Sequence, residues 1–155
     1  MSAEPTSFPV CRLGMNIGRI LTLGVFLTAS ACAKPPQIPL GVGGGPGPAS
    51  IALPTNLVEL VAKADVQKGG ALYVSKGCKA CHTLTEAQLV GPGLRGVTTR
   101  RELTWVARMI LRPDVMVKVD PEAKRLFQAM VAPMANQNVA GETELPAILA
   151  YLKSL

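Results

Sequence analysis

The sequence predicts an all-α domain over residues 57–155, on three observations. Apolar residues there recur at helical spacing, in pieces separated by Gly and Pro. The pieces open and close on residues that favour helix ends. No run alternates apolar and polar side chains as a half-buried strand would. Taken in order, Asp65 is a natural N-cap for a helix over residues 66–75, and Gly77 is a natural stop. A second helix is expected from about Glu102 to Leu111, closing ahead of Pro113, whose ring disfavours helical backbone in the residue before it. Asp120-Pro121-Glu122 starts a third, to about Met130, with a cap, a proline in the first turn and an acid near the positive end of the helix dipole. Thr143 is expected to cap the last helix, with Pro146 in its first turn, where a missing N–H costs little. Leu145, Ile148, Leu149 and Leu152 line one face of that helix.

Two further segments precede the domain. Residues 1–31 have the layout of an export signal: Arg12 and Arg19, an apolar run at residues 20–27, then Ala29-Ser30-Ala31 before Cys32. The run falls well short of the roughly 20 residues that span a bilayer. Small residues followed by cysteine resemble a bacterial lipoprotein signal, in which Cys32 becomes the lipidated first residue, although Ala29 stands where leucine is usual. Ala29 and Ala31 equally make an ordinary cleavage site that releases a soluble protein. Lipidation is the preferred reading, because an isolated exported cysteine otherwise has no partner. Met15 is a second possible start, which would remove Cys11. Residues 32–56 are rich in Pro and Gly and are expected to be a flexible, partly stiffened linker; at roughly 3.3 Å per residue its full extension is about 80 Å.

The residues that carry chemistry are Cys78-Lys79-Ala80-Cys81-His82. CxxCH is the spacing of covalent c-type haem attachment: two thiols add to the two vinyl groups of one porphyrin, and the following histidine ligates the iron. A structural zinc site needs about four Cys or His ligands, and His82 is the only histidine, with Cys11 and Cys32 far upstream. A redox CxxC would open a helix after a strand, whereas the residues before Cys78 read as helix. One covalent haem c is the cofactor this motif predicts.

The stretch 65–77, leading into the haem motif and Thr83-Leu84, resembles the first helix of class I cytochromes c. The resemblance covers about residues 60–155 and implies that Gly69 and Tyr73 pack against Tyr151 of the C-terminal helix. It also implies that Pro92, in Gly91-Pro92-Gly93-Leu94-Arg95-Gly96-Val97, accepts the Nδ1 proton of His82 on its carbonyl, which makes Nε2 the iron ligand. The implied fold is the small class I helical fold around one haem.

With His82 unique, the sixth ligand is sought among the methionines. Met109, beside Ile110 and Leu111, reads as core. Met134 follows Pro133 in a loop between the last two helices, and the family's distal methionine occupies a similar loop. Met134 is therefore favoured, with Met116 and Met130 as alternatives. His/Met ligation fills both axial positions and implies a carrier of single electrons rather than an enzyme. Without it, a five-coordinate haem would suit gas binding or peroxidase chemistry, and a mainly structural haem subunit is a third possibility.

The full chain carries a formal charge of +6; residues 1–31 hold Arg12, Arg19 and Glu4, so 14 basic and 9 acidic side chains remain without them, a net +5. Lys76, Lys79, Arg95, Arg100 and Arg101 are candidates to ring a haem edge and steer an acidic redox partner. Nucleic acid is not an expected partner of an exported haem protein with few aromatics. The segments 113–121 and 133–138 resemble small monohaem lipoproteins of bacterial respiratory membranes, including those of alternative complex III and nitrous-oxide respiration. That resemblance implies a periplasmic-side carrier or complex subunit. Mass spectrometry of the mature N-terminus should find a lipid-modified Cys32; an unmodified terminus at Cys32 or Ala33 would rule out the anchor.

Overall fold

Gly69 sits where two helix backbones meet. A β-carbon built there would lie 2.0 Å from the Ala147 carbonyl oxygen and 2.7 Å from the Tyr151 β-carbon. That contact joins α2 (Val66–Ser75) to α7 (Leu145–Lys153), the principal helix pair of the domain. In this computed structural model, which describes residues 45, 47–130 and 132–155, the remaining helices are α1 (Leu57–Lys63), α3 (Val97–Arg100), α4 (Leu103–Leu111), α5 (Pro113–Val119) and α6 (Pro121–Ala129). No strand occurs among the described residues. Cys32 and the segment read as an export signal lie outside them, as does most of the segment read as a linker.

Local chemistry accounts for most helix ends. The Asp65 carboxylate accepts the Gln67 and Lys68 backbone N–H groups at 2.8 and 3.2 Å, and Gly77 ends the following turn at φ 77°. The Asp120 carboxylate accepts Ala123 N–H at 2.8 Å and also the Trp105 indole N–H at 3.1 Å, so one side chain starts α6 and fastens it to α4. Pro113 ends α4 as expected, but it also opens α5, where proline in the first turn loses no helical bond. The expectation that Thr143 caps α7 is not met. Glu144 is the N-cap residue, and its side chain instead accepts the Ala140 N–H at 2.8 Å, back in the preceding loop.

Leu145, Ile148, Leu149 and Leu152 are buried in one core with Trp105, Val106, Met116 and Leu126. Tyr73 and Tyr151 pack with ring centroids 5.8 Å apart, as the resemblance implied. The core begins earlier than residue 57. Ile51, within the segment expected to be linker, is only 5% exposed, and its carbonyl accepts the Arg108 side-chain N–H at 3.1 Å. A Pro/Gly-rich stretch cannot build a core of its own, but one isoleucine suffices to dock it on a core made elsewhere.

Replacing Gly69 by alanine should destabilise the domain. The helix-propensity gain of about 1 kcal/mol is outweighed by overpacking of about 3 kcal/mol against a backbone that cannot swing aside, for a net loss of about 2 kcal/mol in urea denaturation.

Candidate haem-binding cleft

The haem motif hangs from the end of α2. A single 3-10 turn, Cys78–Ala80, follows Gly77 and places Cys78, Cys81 and His82 on one wall of an apolar cleft. Cys78 is half-buried and Cys81 exposed, and neither is in a disulfide. The His82 backbone is held by its N–H to the Cys78 carbonyl at 3.0 Å and by its own carbonyl, which accepts the Tyr73 hydroxyl at 2.5 Å. The ring is held separately: Nδ1 lies 2.8 Å from the Pro92 carbonyl oxygen. A carbonyl can only accept, so Nδ1 carries the proton and Nε2 keeps its lone pair. Burial pushes the imidazole below its ordinary pKa, against a smaller upward pull from Pro92. The ring is therefore neutral near pH 7, the form that binds a metal.

The loop that supplies Pro92 is bonded back onto the motif. Gly91 N–H donates to the Cys81 carbonyl at 2.8 Å, and Leu94 N–H to Thr83 at 2.9 Å. Gly91 has to be glycine for space, since a β-carbon would stand 2.6 Å from His82 Cε1. Arg100 donates to the Gly93 carbonyl at 3.1 Å and to the Arg95 carbonyl, stapling the far side of the same loop.

The methionines separate cleanly on one point. Met109, Met130 and Met134 all line the cleft. Met116 does not; it is fully buried in the core, near the space above Gly47, so it is removed as an alternative ligand. Met109, read as core, is only partly buried and faces the cleft as well as the core. Met134 lies in the helix-free stretch after α6, as expected, and Met130 is the residue that closes α6.

Of the five cations proposed to ring the cleft, three have internal work. Arg101 is 7% exposed, pairs with Glu122 and lies 5.4 Å from the Trp105 ring centroid. Arg100 serves the Pro92 loop, and Lys76 pairs with Glu144 at 2.7 Å. Lys79 and Arg95 remain exposed. Sequence reading missed Tyr73 as a support for His82, Trp105 as a cleft residue, and the internal partners of Arg101, which it read as a cation at the haem edge.

Two thiols, a neutral imidazole with its Nε2 lone pair uncommitted, and a thioether within one apolar cleft form a donor set that fits a covalently attached haem. A cytochrome c family model matches residues 66–155, and the chain belongs to the cytochrome c family. Among solved structures it is similar to the cytochrome c from Rhodothermus marinus, at 29% identity and TM-score 0.54, covering 73% of this chain and 89% of that one. It is also similar to an engineered form of that protein bound to a carbene intermediate, at 28% identity and TM-score 0.51 over 73% and 89% of the two chains. Comparison with curated proteins gives no significant match. The family and these neighbours make the chain a class I c-type cytochrome, whose cofactor is covalent haem c and whose chemistry is haem-based electron transfer.

Gly91→Ala should disturb the His82 ring more than the fold. Weakening one hydrogen bond by roughly 1.4 kcal/mol would speed exchange of the His82 Nδ1 proton about tenfold, measured by NMR on the reduced haem-loaded protein.

Proposed function

We propose that the protein passes single electrons between redox protein partners, with His82 and Met134 as the axial ligands of one haem held through Cys78 and Cys81. Bound haem supplies a one-electron iron couple. The chain's residues hold it and restrict what it can do. The Pro92 carbonyl fixes the tautomer of His82 and raises the basicity of Nε2. Met134 offers a soft thioether that favours the ferrous state and raises the potential. With His82 and Met134 both committed to the iron, bound haem would offer no open site to a gas or a peroxide. Trp105, Leu126 and Ile148 give the cleft dry walls, while Phe127 at its rim is 42% exposed. Such a rim is where an electron can leave over a short distance. The exposed Lys79 and Arg95 would favour an acidic partner.

The observation that carries this reading is the 2.8 Å His82–Pro92 bond in the same cleft that Met134 lines. The export signal, Cys32 and the Pro/Gly-rich segment support a lipid-anchored carrier on the periplasmic face of a bacterial cytoplasmic membrane, working alone or as a subunit of a quinol-oxidising complex. No helix among the described residues is long and apolar enough to cross a membrane.

Optical spectroscopy tests the ligand pair. The ferric protein should show the weak long-wavelength sulfur-to-iron charge-transfer band, and Met134→Ala should abolish it and lower the reduction potential. A high-spin spectrum in the unaltered protein would replace the carrier reading with a five-coordinate haem.

A further inference from the structure

We infer that Lys76 is a positioning residue for Met134: it latches the loop that carries the methionine to the helix that delivers the haem cysteines. The inference rests on Met134 as the sixth ligand. Residues 132–144 contain no helix, and Val139 alone among them is buried. Packing therefore does little to hold the loop, and polar ties must hold it.

Those ties converge on one ammonium group. Lys76 is the residue that closes α2, two positions ahead of Cys78. Its Nζ donates to the Asn138 carbonyl at 3.1 Å and pairs with the Glu144 carboxylate at 2.7 Å. The same carboxylate oxygen accepts the Ala140 N–H at 2.8 Å, so the loop is gripped at residues 138, 140 and 144. Asn138 adopts φ 51°, a left-handed turn that asparagine tolerates, and its N–H is taken up by the Asn136 side chain at 2.8 Å. The pair is about three-quarters shielded from solvent on both sides, at 23% and 24% side-chain exposure, which limits screening. Hydrogen bonds from the Ala140 N–H and then from Lys76 hold Glu144 below the usual carboxylate pKa, so the carboxylate is ionised near neutrality.

The consequence follows from where the ties run. Ala140 is bonded to the start of α7 through Glu144 and Leu145 independently of Lys76, whereas residue 138 is tied to α2 through Lys76. Removing Lys76 therefore loses one hydrogen bond and one shielded ion pair between the Met134 loop and its surroundings, together worth roughly a factor of three to ten.

Imidazole competition on the ferric, haem-loaded full chain reads this directly, because imidazole displaces the methionine sulfur and erases the charge-transfer band. Lys76→Met should raise the apparent imidazole affinity roughly three- to tenfold, and Lys76→Arg, which keeps the charge and donors, should restore it. Glu144→Gln should also raise it, although it changes net charge in the opposite direction and keeps an acceptor for Ala140. In Lys76→Met, the band should vanish at a lower urea concentration than the helical circular dichroism. Should Lys76→Met fail to fold, Glu144→Gln decides by the same titration. If Met134→Ala retains the band, the ligand assignment fails and the latch with it. If Met134→Ala loses the band while Lys76→Met and Glu144→Gln bind imidazole as the unaltered protein does, the latch alone is overturned.

Discussion

Backbone against backbone at Gly69 and Ala147 is the contact from which the rest of the domain is built. Helices that touch this closely fix each other's direction, because neither surface has a flexible side chain to absorb a change of angle. Helix α2 then ends in one place relative to the core, and the 3-10 turn at Cys78–Ala80 continues from that end. The pair also brings Tyr73 to both partners it serves, the Tyr151 ring and the His82 carbonyl.

The cleft is assembled from separately supported walls. The motif and the Pro92 loop are tied to each other by backbone bonds, while α4 and α6 are joined through Asp120, which serves at once as helix cap and as acceptor for the only tryptophan. Arg101 is enclosed between Glu122 and the Trp105 ring. Arg125 then Arg101 keep Glu122 below the usual carboxylate pKa, so this buried charge has an ionised partner at neutral pH. Breaking such a pair on one side is costly, because it strands a charge in a poorly hydrated place. The lining is largely apolar, which suits a large flat hydrophobic cofactor.

What was legible in the sequence was what is encoded locally. CxxCH needs only five residues, and the Asp65 and Asp120 caps act within three positions of themselves. The Thr143 cap failed because Glu144 takes the N-cap position, with its carboxylate tied to Ala140 and Lys76 rather than to the helix. Met116 and Met130 could not be told apart from sequence, since the difference lies in tertiary position: one is sealed in the core beside residue 47 and the other faces the cleft. Likewise Lys76 and Arg101 read as surface charge, because their acidic partners are remote in the chain. The short helices α1, α3 and α5 passed unrecognised, as four to seven residues carry too few turns of periodicity to stand out.

The docking of Ile51 moves the point at which the domain is held. Any leash attached upstream ends near residue 47 rather than at 56, which removes roughly 30 Å of maximum reach at about 3.3 Å per residue. A shorter leash confines the domain to a smaller search volume and raises the local concentration of whatever shares its surface. That point of attachment lies beside the cleft, because the Ile51 carbonyl is bonded to Arg108 of α4, the neighbour in sequence of cleft-lining Met109.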